Sequence, residues 1–128
     1  MTNTNLKKCS LYLQVNDPND NIDFSVVPPI DPISIDGTLR YDFDVDSLPF
    51  LLRIIITRRD DNQSHLLIKK VEYMGVAIND IDIISFMRTD QGEIRQTNGY
   101  LDAVGEFKLK LRMNPISQNS LNYLLSLT

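Results

Sequence analysis

The chain has no tryptophan, one cysteine and one histidine among its 128 residues. Each shortage removes a class of explanation. A lone cysteine cannot close an internal disulfide, so this is no stapled small domain. Cys9 reads as a small apolar core residue near the start of a strand. A lone histidine, His65, offers a serine-type triad its one possible base, and no Gly-x-Ser-x-Gly elbow accompanies it. His65 therefore reads as a residue flanking a loop. One His and one Cys also lack the ligand spacings of a zinc site. The five glycines are scattered through turns and form no phosphate-binding loop. Without tryptophan, any stacking platform for a sugar falls to tyrosine.

Long apolar runs are missing too. The longest, Phe50-Leu51-Leu52-Arg53-Ile54-Ile55-Ile56-Thr57, is far short of the about 20 residues that span a bilayer as a helix. The polar start, Met1 to Lys8, leads into a short half-apolar stretch without a small-residue cleavage site. Neither a signal peptide nor a transmembrane segment is expected, so no membrane insertion, and the compartment stays open. Residues 1–8 are expected to be a flexible tail. The net charge of −4 disfavours a nucleic-acid partner, which needs a basic surface to release counterions.

What is present is strand pattern. The hydrophobic share of 42% is that of an ordinary globular chain, and the length suits one domain over residues 1–128. In the apolar run, β-branched isoleucines favour extended backbone. Pro49 closes its front and the polar patch after Arg58 closes its back, which predicts a central buried strand. Phe50, Leu52, Ile54 and Ile56 should face the inter-sheet core. His65 to Tyr73 is expected to return as its antiparallel hairpin partner. Strict alternation predicts further half-buried strands. Leu11, Leu13 and Val15 face inward in one; Leu39, Tyr41, Phe43 and Val45 in a second; Phe107, Leu109, Leu111 and Met113 in a third. Asp36-Gly37, Gln91-Gly92 and Asn98-Gly99 read as tight turns, and Asn79-Asp80 as another. The last segment carries two periods. Asn114-Pro115 suits a helix start, but Leu121, Tyr123, Leu125 and Leu127 keep period two, and a terminal strand is the preferred assignment. The fold class expected is an all-β, antiparallel β-sandwich, jelly-roll-like, with little helix except at the C-terminus.

Four oxygen-bearing residues at alternate positions, Asp17, Asn19, Asn21 and Asp23, are the best candidate for a metal, calcium. They are not an EF-hand: Ile22 stands where the glycine is needed and Pro28 where the bidentate glutamate is. Asp42, Asp44 and Asp46 share one strand face, and Lys108, Lys110 and Arg112 have the same spacing with opposite sign. If neighbours, they would form a charge ladder. Tyr100 and Asp102, beside a turn, form a candidate ligand loop. Leu51, Arg53 and Ile55, on the second face of the central strand, would mark an interface if nothing in the chain covers them.

The function expected first is a non-catalytic structural, assembly or adhesion module, of the kind found in viral particles and appendages. It would act through protein–protein contacts, a homo-oligomer included. The alternative is a calcium-assisted carbohydrate-binding module with a glycan partner. A small hydrolase comes third, because the catalytic inventory is thin.

Overall fold

In the computed structural model the described residues are 7–78, 85–97 and 99–127. The described residues form two antiparallel sheets packed face to face, with a helix at the end. In chain order the strands are β1 (Lys8–Asn16), β2 (Ile22–Val27), β3 (Ile33–Ile35), β4 (Thr38–Asp44), β5 (Phe50–Arg59), β6 (His65–Tyr73), β7 (Val76–Ala77), β8 (Ser85–Thr89), β9 (Ile94–Gln96), β10 (Tyr100–Leu101) and β11 (Gly105–Leu111). The helix α1 is Pro115–Ser126. One sheet runs β10-β6-β1-β4-β3, with β7 also on β6. The other runs β2-β5-β11-β8-β9. The sandwich expected from the alternating pattern is what forms.

Period two sorts the side chains. Cys9, Leu11 and Leu13 of β1, Tyr41 and Phe43 of β4, and Leu66, Ile68, Val71 and Tyr73 of β6 are buried on the inner face of the first sheet. Opposite them lie Val26 of β2, Phe50, Leu52, Ile54 and Ile56 of β5, Met87 of β8, and Phe107, Leu109 and Leu111 of β11. Cross-strand register stacks these into rows: Val26 beside Ile54, Ile54 beside Phe107, and Phe107 beside Met87. Burying each such side chain contributes about 1.5–3 kcal/mol.

The expected pairing of residues 50–59 with 65–73 does not occur. β5 and β6 lie in different sheets, and residues 60–64 carry the chain across the end of the sandwich. Each strand instead finds neighbours distant in sequence: β5 lies between β2 and β11, and β6 pairs with β1. Two polar strand faces likewise fail to meet, since β4 and β11 are in opposite sheets and no Asp–Lys ladder forms between them. Asp44 pairs with Lys8 at 2.9 Å, Asp42 with Arg40 at 3.2 Å, and Lys108 with Glu106 at 3.2 Å.

The helix replaces the strand preferred for the C-terminus. Asn114 Oδ1 accepts the Ser117 N–H at 2.9 Å and Pro115 opens the first turn. That satisfies one orphan donor and presets φ. At the other end, Lys7 and Lys8 do not belong to a loose tail. Lys8 opens β1, and the Lys7 carbonyl accepts the Val45 N–H at 2.8 Å. Residues 1–6, the Asn79-Asp80 turn and Asn98 lie outside the described residues. The Asp36-Gly37 turn joins β3 to β4 as expected, with both residues at positive φ (49° and 79°). That conformation matches strand twist and admits glycine without strain.

Candidate functional site

Two crossings tie one end of the sandwich together. Residues 17–21 pass from β1 to β2, and residues 60–64 from β5 to β6. Asp17 turns inward. Its Oδ1 accepts the Asn21 N–H at 2.7 Å and the Ser64 hydroxyl at 3.0 Å, and its Oδ2 accepts the Ile22 N–H at 3.1 Å. The Asn21 side-chain amide donates to Asp61 Oδ2 at 2.7 Å, while Asp61 Oδ1 accepts the N–H groups of Ser64 (2.7 Å) and Gln63 (3.1 Å). Asp23 is held by Arg58, which bonds both its oxygens at 2.8 and 3.3 Å and also reaches Asp60.

Of the four proposed calcium ligands, then, Asp17 and Asp23 direct their oxygens to protein donors, and a guanidinium stands at Asp23. Asn21 presents its N–H₂ to Asp61, and Asn19 is exposed. Among the described residues no group of three or more His, Cys, Asp or Glu is placed to hold a metal ion. A cation would have to displace donors already in place. Millimolar calcium is therefore expected to leave the melting temperature where chelator leaves it. A rise on adding calcium would show that these loops reopen around the ion.

The same donors tune the carboxylates. Hydrogen bonds from the Ser64 N–H first, then from Asn21, bring Asp61 down to about 2. The Asn21 N–H lowers Asp17, and the Arg58 hydrogen bonds lower Asp23. A carboxyl group depressed in the folded state contributes stability above its unfolded value, 3.8, and loses it as pH falls through the folded value. Melting temperature should thus hold steady down to about pH 5 and fall between about pH 4 and pH 2. Asp61→Asn should lie below the wild type near neutrality, and the two curves should converge toward about pH 2. A gap of constant size across the acid range would show that Asp61 acts through shape rather than charge.

His65 closes this end. Its Nδ1 donates to the Gln63 carbonyl at 2.8 Å, and its Nε2 accepts the Asn16 side-chain amide at 3.0 Å, so one neutral tautomer satisfies both. The ring stacks on Tyr100 with centroids 4.3 Å apart. Tyr100 is exposed on β10, and Asp102 bonds Arg95 at 2.7 Å. Tyr100 thus joins His65, while Asp102 is tied to Arg95. Cys9 is wholly buried, and burial pushes its thiol up to about 12, as suits a core residue.

On the outer face of the second sheet, Leu51 is 42% exposed and Ile55 half-buried. Arg53 reaches across to Glu106 of β11 at 3.2 Å. The Arg53–Glu106 pair breaks the apolar surface between Leu51 and Ile55.

A concave feature lies on the outer face of the first sheet. It is a cleft of about 420 Å³ lined by Tyr12, Ile35, Asp36, Thr38, Arg40, Lys69 and Lys70. Of these only Asp36, as half of a tight turn, drew attention in the sequence. The visible signal for the rest was Lys69-Lys70, two polar residues side by side where strict alternation allows one. Comparison of the chain with family models, with curated proteins and with solved structures finds no match.

Proposed function

We propose that this chain is a non-catalytic β-sandwich module of assembly or adhesion type, acting through protein–protein contacts, with a second copy of itself as partner. One observation carries the reading: α1 faces the wrong way for an ordinary surface helix. Its buried anchor is polar. Gln118 is 1% exposed and its Oε1 accepts the Arg112 N–H at 3.0 Å, while the Asn119 amide donates to the Ala77 carbonyl at 3.0 Å. Most of its apolar residues look outward, although Pro115 is buried and Leu121 half-buried. Ile116 is 75% exposed, Leu124 59% and Leu127 66%. At 100° per residue these fall on one arc with Ser120 and Tyr123. Water-exposed apolar surface gathered in one stripe marks an interaction site.

The helix also carries no charged residue, in a chain of net charge −4. A charged partner would find nothing there to select it. Two copies of the helix meet without the like-charge cost that the rest of this surface would impose. A two-fold axis through an antiparallel helix pair would bury both stripes at once.

Light scattering across a wide concentration range tests this. The wild type should pass from monomer to dimer as concentration rises. Ile116→Asp with Leu124→Asp should remain monomeric with an unchanged melting temperature at low concentration. A wild type that stays monomeric throughout removes the proposal.

A further inference from the structure

We infer that the outer face of the first sheet carries a binding site for an acidic oligosaccharide, one whose sugar rings bear carboxylates. This does not rest on self-association through α1. The argument starts from a defect in the ladder. β1 and β6 run in register from Cys9 opposite Tyr73 to Tyr12 opposite Lys70. The next pair is Leu13 with Ile68, so Lys69 is the extra residue of a β-bulge. A bulge re-aims side chains and is favoured next to functional sites. Here it places Lys69 and Lys70 together on the exposed face, between buried Ile68 and buried Val71. Both lysines open into the same cleft.

The chemistry of the lining selects the ligand. Arg40, Lys69 and Lys70 oppose one carboxylate, Asp36. Asp42 holds the Arg40 Nε at 3.2 Å, and Glu72 lies 3.7 Å from Lys70. Among the described residues Lys69 makes no ion pair, so it is the cation left to meet an anion. A bare inorganic anion would use these cations but not Asp36, Thr38 or Ile35. A neutral sugar would use the hydroxyl partners Asp36 and Thr38 but leave Lys69 unmatched. A sugar acid uses all of them. Its carboxylate meets Lys69 and the Arg40 fork, its hydroxyls meet Asp36 and Thr38, and its C–H face lies on Ile35 and Tyr12. Lys70 covers one face of the Tyr12 ring at 4.5 Å. Burial first, and then the Glu72 carboxylate, raise the Tyr12 phenol above its usual value. The cleft's size lies within the range of small-molecule sites, about 300–1,000 Å³.

Titration of the full chain with a short oligomer of galacturonic acid, followed by amide chemical shifts, tests the site. A neutral oligosaccharide of equal length and inorganic sulfate are the comparison arms. The expected result is saturable binding, with shifts centred on Tyr12, Thr38, Lys69 and Lys70. Lys69→Gln should bind about tenfold more weakly while melting like the wild type. Any of three results would overturn the inference: no saturation with the acidic oligomer, equal binding of sulfate, or equal binding of the neutral sugar with no loss in Lys69→Gln. Shifts centred away from the cleft would overturn it as well.

Discussion

Phe107→Ala should cost about 3–5 kcal/mol of stability, the loss typical of a large aromatic removed from a core that cannot fully collapse. For a chain of this length that lowers the melting temperature by about 10–20 °C. Phe107 is the largest fully buried side chain and lies in the middle strand of its sheet, between Ile54 and Met87. Its loss would uncover both neighbours and the sheet they face. The control is Phe86, one residue before Met87 on β8 and 47% exposed. Phe86→Ala should stay within about 0.5 kcal/mol. Urea unfolding of the two variants, with unchanged slopes, compares them directly. If the Phe86 variant were the less stable one, the inner and outer faces of this sheet would be exchanged.

Gly105→Ala should be nearly as damaging, about 3 kcal/mol, although it adds a single methyl group. Gly105 opens β11 at φ +155°, opposite Thr89 on one side and Ile56 on the other. A Cβ there would collide with the Arg88 carbonyl oxygen and lie 2.8 Å from the Thr89 Cα. Both are backbone, so no side chain can swing away. β8 would have to part from β11. The backbone strain costs about 1–3 kcal/mol and the crowding about as much again. Gly92→Ala provides the contrast: its φ is also positive, at +86°, but open space surrounds the site. It should cost only about 1 kcal/mol. Hydrogen exchange locates the damage, and protection of the β8 amides should fall first in Gly105→Ala. Equal losses in the two glycine variants would argue against the close approach.

Where one face of a strand is buried, the sequence made the fold legible. In β4 and β5 a period of two placed Tyr41, Phe43, Leu52, Ile54 and Ile56 inward, and all five are buried. Periodicity assigns a face, however, and says nothing about which sheet a strand joins. The polar residues 60–64 suit a hairpin loop and a crossing between sheets equally well. What distinguishes them is Asp61 and Ser64 bonding to Asn21 and Asp17, about 40 residues earlier in the chain. The C-terminus carried both periods, and the Asn114 cap together with buried Gln118 favoured the helix. The cleft was the least legible feature. Tyr12, Thr38 and Lys69 come together through pairing across three strands and a one-residue slip, and none of these has a local pattern.

The way the chain alternates between sheets bears on how the molecule can be made. β5 can pair with β2 early, but its other neighbour, β11, is the last of the described strands in chain order. Until then one edge of the chain's most apolar strand has no partner, and Ile54 and Leu52 lack the row that Phe107 and Leu109 complete. The first sheet has a similar delay, since β1 must wait for β6. Folding is thus weighted toward late, long-range closure. Such closure is slow, and it leaves unpaired edges open to aggregation while synthesis proceeds. A chain stalled before Gly105 would expose the edge of β5, making the nascent polypeptide, rather than the finished protein, the form in greatest need of a chaperone.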